Sequence, residues 1–231
     1  MIRTIGMIGL AWVLSNDSCS QGRWGSAWGG SAIHQFRSKY DITTSPSPLV
    51  GLRYGHDLGN NFRVLLGLEQ EWTSTREELT FNYPYMTTRI REFESRNVNL
   101  GIMGAIRIRS SETQEWRFLI GGVSRMMMHV KFTESHSRLT YATIERTLTG
   151  SELGSSLQIR TGVRYARKLK GRAYGFVEAW GGRTLLITGN DYYAFGMGRG
   201  GAYIPIPIHS IGLIIGFEFG PPSIPLKKNG H

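Results

Sequence analysis

Three observations predict an all-β chain, an eight-stranded antiparallel up-and-down transmembrane β-barrel with a filled polar interior. Bulky apolar residues alternate with glycine and charge, connections are short and long by turns, and no long apolar run interrupts the pattern. The alternation is plainest near the C-terminal end. There Ile211, Leu213, Ile215, Phe217 and Phe219 share one face, and Gly212, Ile214, Gly216 and Glu218 share the other. Glycine at 30 residues and a mean hydropathy of -0.22 are unlike a helical membrane protein. No apolar run reaches the roughly 18 to 20 residues that a spanning helix needs.

The 231 residues fit one domain behind a leader. Arg3, the uncharged apolar stretch 4–14 and the small polar stretch 15–20 have the three regions of a secretory signal peptide, with cleavage expected after Ser20. A short buried helix is the alternative for this stretch. Cys19 is the only cysteine, so cleavage there leaves a mature chain without disulfides. Lipidation of Cys19 is the competing reading, and Asn16 and Asp17 are unlike the residues that usually precede a lipidated cysteine. The barrel domain is expected over 21–219, followed by a Pro-rich basic periplasmic tail over 220–231.

Eight strands are predicted, at 24–37, 49–57, 62–78, 89–109, 116–132, 152–167, 173–188 and 206–219. The first declares no face. In the second, Val50, Leu52 and Tyr54 oppose Gly51, Arg53 and Gly55. In the third, Phe62, Val64, Leu66 and Leu68 oppose Arg63, Gly67, Glu69 and Glu71. The fourth sets Val98, Leu100, Ile102, Ile106 and Ile108 against Asn97, Asn99, Gly101, Ala105, Arg107 and Arg109. In the fifth, Trp116, Phe118, Ile120, Met126, Met128 and Val130 share a parity opposite Arg117, Arg125 and Lys131. The sixth sets Leu157, Ile159, Val163 and Tyr165 against Gln158, Arg160, Gly162 and Arg164. In the seventh, Tyr174 and Phe176 share parity with Glu178 and Trp180, so either aromatic side chains line the interior or a bulge shifts the register.

Connections at 58–61, 110–115 and 168–172 are short, and those at 38–48, 79–88, 133–151 and 189–205 are long. All the long ones then fall on one rim, as extracellular loops do in outer-membrane barrels. A secreted soluble barrel would show the same period turned inside out. An aromatic girdle at the short-turn rim favours the membrane: Tyr54, Phe62, Trp116, Tyr165, Tyr174, Phe217 and Phe219. At eight strands side chains fill the interior. Arg53, Glu69, Glu71, Arg107, Arg160, Arg164 and Glu218 are expected to form an ion-pair network there, because unpaired buried charge is costly.

The strands Gly51-Leu52-Arg53-Tyr54 and Leu65-Leu66-Gly67-Leu68-Glu69, with the ending Ile211 to Phe219, resemble the outer-membrane β-barrel domain family common in Bacteroidota, which includes PorT-like and OmpX-like barrels. PorT-like members are associated with the type IX secretion system. The resemblance is one of pattern over nearly the whole mature chain. It implies an eight-stranded barrel folded by the outer-membrane assembly machinery, which reads a final strand ending in an aromatic residue. Phe219 supplies that residue, but twelve further residues separate it from the terminus. The family pattern defines no catalytic or ligand residues.

The formal charge of +10 rests mostly on arginines dispersed along strands, so no nucleic acid is expected as a partner. Anionic lipid head groups, including lipopolysaccharide, and internal ion pairs fit better. His34, His56, His129, His136, His209 and His231 show no metal-ligand spacing, and neither metal nor cofactor is expected. His209 and Ser210 are adjacent but point to opposite faces of a strand. His136, between Ser135 and Ser137, reads as part of a polar loop. The run Gly196-Met197-Gly198-Arg199-Gly200-Gly201 lacks the strand and helix of a phosphate loop. Above the apolar bands, Glu77, Glu78, Arg89, Arg91, Glu92, Glu94 and Arg96 make a charged hairpin, with Arg89, Arg91 and Arg96 its expected partner-binding residues; a solvated ribbon is the plainer reading. The expected role is a non-enzymatic structural, adhesion or secretion-accessory protein of the outer membrane. A lipid-modifying outer-membrane barrel enzyme and a secreted soluble barrel are the alternatives.

Overall fold

A computed structural model describes residues 22–36, 41–81, 87–136, 144–149, 153–188, 192–194, 201–203 and 206–220. The signal stretch 1–20, the run 196–200, the tail beyond Gly220 and the side chain of His136 lie outside them. The strands are β1 (Arg23–Phe36), β2 (Asp41–Thr44), β3 (Ser47–Asp57), β4 (Phe62–Phe81), β5 (Thr87–Ser110), β6 (Gln114–His136), β7 (Ile144–Thr149), β8 (Ser155–Lys168), β9 (Ala173–Thr188), β10 (Tyr192–Ala194), β11 (Gly201–Tyr203) and β12 (Pro207–Phe219). No helix occurs among the described residues.

Eight of these strands close into an antiparallel ring in the order β1, β3, β4, β5, β6, β8, β9, β12, with β12 returning to β1. The ladder shows the stagger. Gly25 pairs with Tyr54, and the row continues through Leu66, Ile102, Gly122, Ile159, Arg183 and His209 to Gln35, ten residues further along β1. A stagger of this kind tilts strands by roughly 35–45° to the barrel axis. Because the shift is even, every residue in that row points outward and the two faces stay distinct around the closure.

Two short turns use glycines with positive φ, Gly59 at 92° and Gly171 at 59°. There Leu58 N donates to Phe62 O at 2.8 Å and Leu169 N to Ala173 O at 2.9 Å. On the other rim two connections expected to be plain loops contain strands. β2 pairs with β4 over Asp41 to Thr44, and β7 pairs with β6 over His129 to Glu134. Together with the upper halves of β4, β5 and β6 they form a five-stranded ribbon above the ring. A third connection carries the separate hairpin β10–β11.

The apolar parities of β3, β4, β5, β8 and β12 face outward. Leu66, Ile102, Ile211, Ile215 and Phe217 are 50–63% exposed. Glycine, arginine and glutamate point into the ring. β1 and β9 are built differently. Trp24, Trp28, Tyr174, Phe176 and Trp180 are buried inside, together with Ala32, Leu49 and Ile214. Tyr174 therefore does not belong to the girdle; it lies against Trp24, ring centroids 5.6 Å apart. These indoles fit because facing residues have no side chain. A Cβ on Gly212 would overlap the indole of Trp180, and one on Gly51 would overlap that of Trp28.

The fifth predicted strand mixes two phases. A register shift opposite Arg96 and Asn97 leaves Met128 unpaired in β6. Trp116, Phe118 and Ile120 below it point outward, whereas Val130 and Phe132 above it are fully buried. Val130 thus sits on the face opposite to the one its spacing from Trp116 implies. With Phe93, Met127, Leu148 and Ile206 it forms a second apolar cluster, inside the ribbon.

Candidate functional site

A chain of ion pairs runs through the ring from the short-turn rim to the ribbon. At the lower end Glu115 pairs with Arg107 at 2.9 Å and Arg117 at 2.6 Å, and Asp57 accepts from Arg63 Nε at 2.7 Å and Trp24 Nε1 at 2.6 Å. Higher, Glu218 meets Arg164 at 2.8 Å and Arg63 at 3.6 Å. Glu178, fully buried, accepts from Arg164 Nε at 3.0 Å and from an Arg53 NH group at 2.6 Å. Glu69 pairs with Arg53 at 3.3 Å and Arg160 at 2.6 Å. Asn99 Nδ2 donates to Glu69 and Glu71 at 3.5 and 3.4 Å, and Glu71 pairs with Arg125 at 3.2 Å.

Of the seven interior charges named from sequence, Arg53, Glu69, Glu71, Arg160, Arg164 and Glu218 are buried in this chain. Arg107 is not among them; it sits half-buried at the rim because its strand has reached the turn. Glu178, Glu115, Arg63, Arg117 and Arg125 are buried there as well. Arginine here also meets aromatic faces: Arg63 over Trp24 at 3.8 Å, Arg160 over Trp180 at 4.1 Å and Arg164 over Phe176 at 4.1 Å. Such contacts compensate part of the guanidinium desolvation. Six arginines are thus enclosed and paired with carboxylates rather than displayed.

At the upper end His34 bridges two groups from distant strands. Its Nδ1 lies 2.7 Å from Ser210 Oγ and its Nε2 2.6 Å from Glu71 Oε1. Serine, histidine and carboxylate in sequence of contact is the arrangement of a nucleophile, base and orienting acid. His209, the chain neighbour, points outward. Ser210 is buried, and its Oγ also accepts from Gln158 Nε2 at 3.1 Å, whose side chain is bonded in turn by Arg160. Among the described residues, Ser210 lines neither the groove beside Leu66 and Leu100 nor the groove beside Trp72 and Arg96.

On the outside, Tyr54, Phe62, Trp116, Tyr165, Phe217 and Phe219 all lie near the short-turn rim. Trp116 and Tyr165 are ladder partners with ring centroids 4.9 Å apart. Phe219, the last strand residue, is half-buried.

The hairpin arginines do not share a face. Arg91 points to the inner side of the ribbon, 2.8 Å from Glu134 and 3.5 Å from Glu77, and Arg89 lies 3.5 Å from the same Glu134. Arg96 is exposed on the outer side, in ladder register with Trp72 and His129. Odd and even positions of a strand point to opposite faces, so three arginines at 89, 91 and 96 cannot make one contact. Nearby Lys131 bonds Glu145 at 2.7 Å, which holds its ammonium above the ordinary lysine value.

No protein-family model and no curated protein matches the sequence. Among solved structures the chain is similar to the attachment invasion locus protein Ail of Yersinia pestis, at 12% identity and a TM-score of 0.39, over 86% of this chain and 97% of that one. It is similar to the N-terminal β-barrel domain of Pseudomonas aeruginosa OprF, at 11% identity and a TM-score of 0.33, over 86% and 98%. The translocator domain of the autotransporter NalP from Neisseria meningitidis is similar at 12% identity and a TM-score of 0.34, over 94% and 95%. At these values the ring is established by the strand register of this chain itself.

Proposed function

We propose that this protein is a non-enzymatic outer-membrane β-barrel, a membrane anchor that presents the ribbon to surface or secretion-system partners in a structural, adhesion or secretion-accessory role. One observation carries the reading. The ring exposes leucine, isoleucine, valine and phenylalanine around most of its circumference and buries arginine and glutamate, the inverse of a barrel that folds in water. Lipids and lipopolysaccharide are the partners of this surface, and the outer-membrane assembly machinery is the partner during folding. The pattern resemblance to the Bacteroidota family belongs with this reading.

Heat-modifiable migration of the membrane fraction on a gel tests it. A folded barrel in the outer membrane migrates faster unheated than boiled. Recovery in the soluble periplasmic or secreted fraction would overturn it.

A second reading, a lipid-modifying outer-membrane enzyme, draws on Ser210, His34 and Glu71. It is the weaker one, because a nucleophile needs space for a reacting atom about 3 Å from its oxygen. Ser210 Oγ is instead enclosed and bonded on two sides. Mass analysis of membrane lipids from cells with and without the gene separates the two readings, since an enzyme changes the profile and an anchor does not.

A further inference from the structure

Two grooves lie one above the other on the outer wall, both crossing β4, β5 and β6, the lower one extending to β1, β3 and β8. The upper, about 370 Å³, is lined by Trp72, Glu94, Arg96, His129 and Lys131 beside Pro48. The lower, about 700 Å³ and almost wholly apolar, is lined by Leu66, Leu68, Leu100, Ile102, Gly122 and Leu157 among others. One outward residue separates them on β4 and on β5, Gln70 and Val98, and two do so on β6, Met126 and the exposed Met128. From Arg96 to Leu100 the strand advances four residues, about 13 Å. That is the scale on which an amphiphile passes from head group to hydrocarbon.

We propose that this wall is a specific site for one phosphorylated, multiply acylated lipid, its phosphate held by Arg96 and His129 and its chains lying in the groove below. The inference rests on the outer-membrane reading above. Trp72, Arg96 and His129 stand in one ladder row, so the indole, the guanidinium and the imidazole are neighbours. The unpaired Met128 in β6 lies next to His129, at the register shift where this row meets β6. Lys131 is already bonded to Glu145 and stands opposite Glu94 in the ladder. Among the described residues the side chains of Arg96 and His129 have no ion pair or hydrogen bond. Glu94 repels an anion from the Lys131 side and leaves these two as the place for it. The guanidinium offers paired donors that suit a phosphate, and an indole at this level suits a membrane interface. Below, Gly122 and Ser124 leave unfilled the space that larger outward residues would occupy. A Cβ on Gly122 meets nothing nearer than Leu157 Cδ1 at 4.0 Å.

The test uses the full mature chain, stripped of lipid in detergent and inserted into nanodiscs that hold equal amounts of lipid A bisphosphate and chemically dephosphorylated lipid A. After detergent extraction and repurification, retained lipid is measured by mass spectrometry. The wild type is expected to retain the phosphorylated form about tenfold over the other. R96E/H129A, or the milder R96Q should that variant fail to insert, is expected to bring the ratio towards one. G122F, which fills the lower groove, is expected to reduce retention of both forms. Equal retention by the wild type, or an unchanged preference in R96E/H129A or R96Q, overturns the site. Failure of the wild type to insert with heat-modifiable migration overturns the membrane reading instead, and so is distinguishable.

Discussion

Replacing Glu178 by glutamine tests whether the interior is held by charge. Glu178 is fully buried and accepts from two arginines, Arg53 at 2.6 Å and Arg164 at 3.0 Å. The variant keeps the shape and removes the charge, and its amide nitrogen turns donors towards guanidinium donors. Removing one partner of a buried pair costs about 3–5 kcal/mol, because the remaining charge is left uncompensated. Arg53 retains Glu69 at 3.3 Å and Arg164 retains Glu218 at 2.8 Å, which places the loss at the lower end, about 3 kcal/mol. That is a factor of roughly 150 in the folding equilibrium. With a urea slope of about 2 kcal/mol per molar, the midpoint falls by about 1.5 M. The assay is reversible urea unfolding in lipid vesicles, followed by tryptophan emission and by the fraction migrating as folded barrel. Arg76→Gln is the control. Its pair with Glu92 spans 3.9 Å between half-exposed side chains, and its loss is expected to cost less than about 0.5 kcal/mol. If Glu178→Gln is as mild as the control, water screens the interior and the ion-pair account is wrong.

Other outcomes follow from the same packing. Gly212→Val forces the indole of Trp180 from its place and is expected to cost about 1–3 kcal/mol in the same urea assay. The wild type is expected to show no large, stable open state in planar bilayers, whereas truncating Trp28 and Trp180 together to alanine is expected to raise conductance. Arg91→Glu sets a third carboxylate beside Glu134 and Glu77, and is expected to speed hydrogen exchange in the ribbon while leaving β8, β9 and β12 protected. His34→Ala strips Glu71 and Ser210 of a shared partner and is expected to lower stability by about 1–3 kcal/mol, with cellular lipid composition unchanged.

The faces of β3, β4, β5, β8 and β12 were legible because their outward sides alternate without a break. Val50 to Tyr54, Phe62 to Leu68 and Ile211 to Phe219 each alternate without interruption. β1 and β9 were not legible, since Ala27, Gly29 and Ser31 on the outside of β1 carry no hydrophobic signal and the bulky residues point in. The same aromatics hid Glu178, which shares their parity. Tyr174 was misplaced for this reason as well: position near a rim does not say which side of the wall a ring occupies. β2 and β7 are short strands whose only partner is a neighbour already in the sheet, so their sequences need no strong period. The contact of His34 with Ser210 spans 176 residues across the closing pair of strands, and no local spacing announces it.

Met128 marks where the alternation of β6 changes phase. Below it, even-numbered residues such as Trp116, Phe118 and Ile120 look outward; above it, even-numbered Val130 and Phe132 look inward. This strand can therefore lose its one unpaired residue but not a paired one. Deleting Met128 would join Met127, which points inward, directly to His129 and restore strict alternation, with every ladder partner kept and Val130 and Phe132 still inside. Removing His129 as well would turn each side chain above that point by half a turn. Val130 and Phe132 would then be put on the outer surface and Lys131 into the apolar cluster. One unpaired residue thus stands where a wall that is apolar on the outside meets a ribbon that is apolar on the inside.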